Sequence, residues 1–183
     1  CILFGDAGGA VLLEPTEEQM EPYKNLNAIK SGKFRSAAEV YYGSVTDLDT
    51  QIGRLLNKIE ELGLAEKTII IFSSDNGPED IHLNIAAHSG IGSPGPFRGR
   101  KRSLYEGGIR MPFIIKWGNQ IPQGFINDES IVGSIDLLPS LCKLANIELP
   151  EDYKGDGEDM SQALTGKKVQ RKDPLMWEWR FDI

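Results

Sequence analysis

Residues 36–72 have the sequence SAAEVYYGSVTDLDTQIGRLLNKIEELGLAEKTIIIF, which contains the two elements from which the fold class follows. Apolar residues recur at alternating steps of four and three from Ser36 to Leu62, and this period predicts an amphipathic helix. Those apolar residues are Tyr41, Val45, Leu48, Ile52, Leu55, Ile59 and Leu62. Gly63 is expected to end the helix, and the β-branched run from Thr68 to Phe72 predicts a strand buried on both faces. A helix, a short turn and a buried strand form half of an α/β repeat, which indicates an α/β fold.

The residues before this segment give weaker signals. Pro15 and the acidic pair Glu17-Glu18 are typical of a helix N-terminus, so a short helix is predicted there. The polar segment from Lys24 to Phe34 is predicted to be a loop. Residues 1–14 combine a glycine-rich patch with three apolar residues and predict no particular element.

Four further elements are predicted downstream. Ile109 to Trp117 is expected to form a second strand, with Pro112 at an edge or an irregularity. A helix is predicted from Asp136 to Leu144, with Asp136 as its N-cap. Residues 150–173 are expected to contain one short helix, and the alternation from Leu175 to Phe181 predicts a final strand.

Composition and charge exclude several classes of protein. Of the 183 residues, 40% are hydrophobic and 26% are charged, which is typical of a globular domain. The net charge of −7 argues against a nucleic-acid partner, and no apolar run is long enough to span a membrane. Cys1 and Cys142 form neither a C-x-x-C pair nor a zinc-binding spacing. The basic cluster from Arg98 to Arg102 interrupts the acidic chain and suggests a small anion as its ligand.

The first candidate site is Ser73-Ser74-Asp75-Asn76-Gly77, which directly follows the predicted strand. Side chains at the carboxyl end of a strand lie where open α/β sheets bind their ligands. A carboxylate beside a carboxamide offers two hard oxygen ligands, which suit Ca²⁺ or Mg²⁺. Asp-Asn-Gly is equally typical of a turn that binds no metal, and spacing alone leaves both interpretations open.

The second candidate site extends from Gly95 to Arg110. Its four cations within five residues repel one another unless an anion or carboxylates lie between them, and its glycines allow close approach of a ligand. A solvated basic loop is the alternative, although the loop position of Lys101 favours a functional role. Glu106 is expected to pair with Arg98 or Arg110. His82 and His88, the two histidines, suit either a catalytic role or the loop surface.

Taken together and in this order, the segments resemble the sulfatase family of the alkaline phosphatase superfamily over about residues 36–181. The matching segments are DLDTQIGRLL at 47–56, SDNGP at 74–78, GPFRGRK at 95–101, YEGGIRMPF at 105–113, DLLP at 136–139 and DGED at 156–159. The resemblance implies a three-layer alkaline-phosphatase-like α/β fold, present here only as its downstream portion. It also implies an enzyme that hydrolyses sulfate esters.

The resemblance assigns roles to individual residues. Asp75 and Asn76 occupy the positions that ligate a divalent cation, Ca²⁺ or Mg²⁺. Lys101 occupies the position of the lysine that contacts the sulfate, and is therefore both the catalytic and a substrate-binding candidate. Arg98 and His88 are candidates for lining the substrate pocket. Family habit further implies a sulfated small molecule or carbohydrate as substrate and a periplasmic or extracellular location.

Other parts of the family pattern are absent from the sequence. The family nucleophile is a formylglycine made from a C-x-P-S-R type motif, and neither Cys1 nor Cys142 lies in one. The expected Asp-Asp metal ligands and a Pro-His-x-Pro stretch are also absent, so the metal site is expected to be incomplete and the chain inactive alone.

The chain is therefore expected to be a fragment. Residues 1–174 are interpreted as a partial catalytic domain and 175–183 as the start of the small C-terminal sheet subdomain. Pairing with a missing N-terminal half, or self-association, is expected. A phosphoric or phosphonic ester hydrolase of the same superfamily and a non-catalytic binding module stay open as alternatives.

Overall fold

The computed structural model describes residues 2–4, 11–13, 15–24, 32–79 and 91–178. His82, His88 and residues 179–183 lie outside this description. Within the chain two compact units are distinguished, Cys1–Leu64 with Ser73–Pro112 and Ala65–Phe72 with Phe113–Ile183. In the described ranges, no helix has both the length and the apolar character needed to cross a membrane.

The first unit begins with a hairpin and a short helix. Strands β1 (Ile2–Phe4) and β2 (Val11–Leu13) pair antiparallel. Helix α1 (Glu17–Met20) follows Thr16, whose hydroxyl accepts from the amide of Gln19 at 3.2 Å while the Gln19 side chain accepts from the amide of Thr16 at 2.8 Å. This reciprocal cap satisfies two helix-end amides and confirms the short helix predicted near Pro15.

Helix α2 (Gly32–Glu61) confirms the predicted amphipathic helix, but begins inside the segment predicted to be a loop. Gly63 has φ of +65° and ends the helix as expected. Of the predicted apolar stripe, Val45, Leu55 and Leu62 are exposed, and the other four residues, Tyr41, Leu48, Ile52 and Ile59, are half-buried. Gly43 allows α1 to approach closely, because a Cβ built at Gly43 would lie 2.7 Å from Met20 Cγ.

The second unit contains a two-stranded sheet of β3 (Ile70–Ser73) and β4 (Phe113–Lys116). Both strands were predicted, but the expected burial of the first strand on both faces is wrong. Phe72 is 42% exposed, because in the described part of the chain β3 has a single neighbouring strand. The second strand also starts later than predicted, after Pro112. Ile109 instead ends the short helix α3 (Glu106–Ile109) of the first unit.

A buried polar network organises the rest of the second unit. It links α4 (Leu137–Leu144), α5 (Ser161–Leu164) and the segment near Arg171. Asp136 is completely buried, and its carboxylate accepts from the amides of Gly133 at 2.7 Å and Glu158 at 2.9 Å and pairs with Arg171. Asp136 therefore does not cap α4 with its side chain, as was predicted, because its oxygens bind these other partners.

The C-terminal part of this unit contains its apolar core. Met160, Ala163 and Leu164 are buried, and the amide of Met160 donates to the buried hydroxyl of Ser140 at 2.8 Å. Helix α5 confirms the short helix predicted within 150–173. The predicted final strand is wrong for Leu175–Glu178, which forms no strand; its last three residues are not among those described.

Candidate functional site

The two predicted sites lie in the first unit and are joined by backbone hydrogen bonds. The amide of Gly77 donates to the carbonyl oxygen of Gly108 at 2.9 Å, and the amide of Lys101 donates to that of Pro78 at 2.9 Å. Because Asn76 lies two positions before Pro78, the Cα atoms of Asn76 and Lys101 are at most about 14 Å apart. The loop after β3 and the basic loop therefore belong to one local structure.

Three glycines make this close approach possible. A Cβ atom at Gly77 would lie 1.9 Å from the carbonyl oxygen of Gly107, and one at Gly107 would lie 2.2 Å from that of Gly99. At Gly108 the corresponding distance to the Ser103 oxygen is 2.1 Å. No side chain fits at such distances, so backbone packs directly on backbone at each of these positions.

Asp75 and Asn76 lie in a bend immediately after β3. The side-chain nitrogen of Asn76, Nδ2, donates to Asp75 Oδ1 at 2.7 Å, so the two side chains converge. Asp75 is exposed and Asn76 is half-buried. Ser73 fixes the end of the strand by donating to the carbonyl oxygen of Pro112 at 2.9 Å. The bend predicted from Asp-Asn-Gly and the delivery of two oxygen-bearing side chains at the strand end are thus both present.

The oxygen atoms of Asp75 and Asn76 are the type of ligand that a hard divalent cation prefers. The bond between the two side chains uses Asp75 Oδ1 and the Asn76 nitrogen, which leaves Asp75 Oδ2 and the Asn76 amide oxygen for a ligand. Calcium takes six to eight oxygen ligands and magnesium about six, so further ligands are needed. Over the described ranges no three His, Cys, Asp or Glu residues cluster as a metal site.

Lys101 is half-exposed and its ammonium faces a carboxylate. Its Nζ lies 3.6 Å from Glu79 Oε2, and the exposed fractions of the two side chains are 39% and 13%. Arg102, which has φ of +70°, pairs with Glu79 Oε1. Arg100 donates from Nε to the carbonyl oxygen of Glu79 at 2.8 Å. Three consecutive cations therefore bind one residue, which explains how the basic cluster is stabilised.

Glu79 was not identified from the sequence, although a signal for it exists. It is the nearest acid after the Asp-Asn-Gly-Pro segment, and a run of four cations requires a counter-charge. Arg100 also binds the carbonyl oxygen of Gly92 and lies beside Tyr41. Burial raises the pKa of the Tyr41 hydroxyl above its usual range, and the nearby Arg100 charge opposes this shift.

The remaining cations of the loop are held by aromatic rings. The Arg98 guanidinium lies 3.9 Å from the centre of the Tyr105 ring, and both side chains are exposed. Arg110 lies 4.7 Å from the centre of the Phe97 ring and pairs with Glu106 at 3.2 Å. The predicted pairing of Glu106 with one of these arginines is thus confirmed for Arg110. The structure describes nothing of His88, the other pocket candidate.

Comparison with known proteins places these elements in context. The sulfatase family model matches residues 13–147. Human steryl-sulfatase is 38% identical over 139 residues, covering 76% of this chain and 24% of the relative. The N-acetylgalactosamine-6-O-sulfatase of Bacteroides thetaiotaomicron is 35% identical over 136 residues, covering 72% of this chain and 26% of the relative. The chain spans about a quarter of the length of these relatives.

A solved structure also resembles this chain in fold. Ps i-CgsB in complex with k-i-k-neocarrahexaose superposes with a TM-score of 0.66 at 26% identity. The match covers 84% of this chain and 30% of that protein. The predicted α/β class and the predicted family resemblance are therefore both confirmed.

Proposed function

The chain belongs to the sulfatase family, and on this premise we propose that it contributes metal-binding and sulfate-binding residues to the hydrolysis of a sulfate ester. Asp75 and Asn76 are the proposed metal ligands. Lys101 is the proposed sulfate-binding and catalytic residue, and Arg98 lines the substrate pocket. The proposal rests on the two hydrogen bonds that join the Asp-Asn bend to the basic loop, from Gly77 to Gly108 and from Lys101 to Pro78.

The chemistry of the donor set supports a metal at the strand end. Asp75 and Asn76 would hold a calcium or magnesium ion through a carboxylate oxygen and an amide oxygen, with other ligands completing its shell. Such an ion would stabilise negative charge on the sulfate oxygens. The 2.7 Å hydrogen bond between the two side chains keeps both on the same side of the bend, oriented before a ligand arrives.

The charge on Lys101 supports sulfate binding. A sulfate monoester stays anionic throughout its hydrolysis, so fixed cations around its oxygens lower the barrier. The Lys101 ammonium has three donors, and its half-exposed position beside Glu79 leaves donors available to an incoming anion. Arg98 is oriented by its stacking on Tyr105, and its planar guanidinium is suited to a second anionic or hydroxyl group of the substrate.

The nucleophile of the reaction is assigned to no residue of this chain. Neither Cys1 nor Cys142 lies in a C-x-P-S-R motif, so these 183 residues alone are expected to bind sulfate weakly and to release none. A sulfated carbohydrate is the proposed substrate class. The names of the Bacteroides relative and of the neocarrahexaose complex support this class.

Replacement of Lys101 by alanine in the complete protein tests the proposal. We expect kcat/KM for p-nitrophenyl sulfate to fall by about 10²–10³, the usual effect of removing one charge-stabilising donor. Inhibition by inorganic sulfate should weaken as well. The matched control is Lys58→Ala, which removes a lysine that is ion-paired with Glu61 on α2. If both variants hydrolyse the ester equally well, the assignment of Lys101 is wrong.

A further inference from the structure

We infer that Glu79 is a positioning residue that holds the Lys101 ammonium in place for the substrate anion. The inference rests on the proposed function of Lys101 and adds a residue to it. Its starting point is the contact between Lys101 Nζ and Glu79 Oε2 at 3.6 Å, at a carboxylate that is only 13% exposed. A carboxylate so shielded from water holds a neighbouring charge more strongly than an exposed one does.

The backbone holds Glu79 next to Lys101. The residue before Glu79 accepts the hydrogen bond from the Lys101 amide, and the Glu79 carbonyl oxygen accepts from Arg100 Nε at 2.8 Å. Both bonds fix the Glu79 main chain against the basic loop. The Glu79 main chain therefore lies at a set position relative to the lysine backbone, and its side chain starts close to the lysine.

Arg102 prevents Glu79 from neutralising the lysine completely. It pairs with Oε1, whereas Lys101 faces Oε2. The backbone at Arg102 is left-handed, with φ of +70°, and its side chain reaches the same carboxylate. One negative charge is thus shared between two cations, and a net positive charge is left for an anionic ligand.

A lysine without such a partner loses its fixed position. Its four-carbon stem has free rotation, and repulsion from Arg100 and Arg102 would drive the ammonium toward solvent. A carboxylate on one side of the ammonium restricts this motion and leaves the other donors pointing away from Glu79. The geometry resembles that of outer-shell partners of metal ligands, which orient a binding group without contacting the substrate.

The test is a double-mutant cycle of Glu79→Gln and Lys101→Ala in the complete protein. Kinetics with p-nitrophenyl sulfate, inhibition by inorganic sulfate and thermal midpoints are measured for every variant. Glu79→Gln keeps the shape of the side chain and removes its charge. We expect it to lower kcat/KM by about 10–100-fold, the range for outer-shell partners. The loss should largely vanish when Lys101 is already alanine, since the two residues act through one ammonium.

Two further variants make the result specific. Glu61→Gln removes a carboxylate that pairs with Lys58 at 3.0 Å on α2, and should leave kcat/KM unchanged. Glu79→Asp keeps the charge with one methylene less, so it should recover part of the activity that Glu79→Gln loses. If Glu79→Gln does not fold, the cycle is run with Glu79→Asp, whose smaller loss should likewise vanish in the Lys101→Ala background.

The outcomes separate this inference from the proposed function. An unchanged kcat/KM in Glu79→Gln overturns the positioning role while Lys101→Ala can still abolish activity. An equal loss with and without Lys101 shows that Glu79 acts on the fold or on another group, and also overturns it. A Lys101→Ala variant with full activity removes the proposed function itself.

Discussion

The amide of Lys101 donates a 2.9 Å hydrogen bond to the carbonyl oxygen of Pro78, which ties the sulfate-binding candidate to the segment that carries the metal-binding candidates. A second bond, from Gly77 to Gly108, joins the same two segments at the other end of the basic loop. Main-chain atoms make both bonds, so the spacing between the two sets of side chains depends on backbone packing. Changes to that packing should affect both sets together.

Gly77→Ala should therefore weaken both stability and sulfate binding. Its methyl group would lie 1.9 Å from the Gly107 oxygen, and the backbone must move to relieve the contact. Overpacking of this kind costs about 1–3 kcal/mol, measurable by thermal or denaturant unfolding. The control is Gly53→Ala on α2, where an added Cβ would meet nothing within 4 Å outside the adjoining helix backbone, and alanine should stabilise the helix by about 0.5–1 kcal/mol. Equal effects of the two changes would contradict the packing argument.

Asp75→Ala should reduce metal affinity and activity together. Removing a directly bound carboxylate should cost at least about 100-fold in affinity for calcium, because changes to outer-shell residues alone cost about 10–100-fold. Isothermal titration calorimetry of the metal-stripped complete protein with calcium measures the change in affinity. Asp49→Ala, at an exposed position of α2, serves as the control. Unaltered calcium binding in Asp75→Ala would show that the metal binds elsewhere.

Arg171→Met should destabilise the second unit strongly. Arg171 is 8% exposed and pairs with the fully buried Asp136, so the substitution leaves a buried charge with only amide partners. Breaking such a pair from one side costs about 3–5 kcal/mol. Denaturant unfolding of the complete protein measures the loss. Arg54→Met, on the exposed surface of α2, should change stability by less than about 0.5 kcal/mol.

Glu158 should make folding sensitive to acid. The amides of Lys172 and Asp173 donate to its carboxylate at 3.0 and 2.9 Å and, with the Arg171 charge, lower its pKa below the ordinary value of 4.5. A lowered pKa in the folded state means that the stabilisation is complete above pH 4.5 and is lost as the pH falls through the folded value. Glu158→Gln should flatten this acid limb in melting curves recorded between about pH 3 and 6. An unchanged limb would exclude Glu158 as its source.

The elements that follow local rules were predictable from the sequence. Helix α2 has a regular apolar period and ends at a left-handed Gly63, and the strand after it is β-branched, so both were identified. The pairing of Glu106 with Arg110 is likewise local, because Arg110 follows the end of α3 and lies four residues after Glu106. These features depend on neighbours within about a turn of helix or a single strand.

Features that depend on distant neighbours were predicted less well. The close contact of α2 with α1 at Gly43 is not revealed by the periodicity of α2 alone. Asp136 has the sequence context of an N-cap, but its carboxylate pairs with Arg171, which lies 35 residues away. The pairing of Glu79 with the basic cluster was not predicted for the same reason, because its partners lie more than twenty residues later in the chain.

The glycine contacts also bear on attempts to engineer this scaffold. A side chain at Gly77, Gly107 or Gly108 forces the backbone to move, so a mutagenesis library that randomises these positions would contain mostly destabilised proteins. Arg98 and Tyr105, by contrast, project outward from the backbone that these glycines hold. Substitutions at those two exposed positions would change the surface of the loop and leave its backbone packing intact.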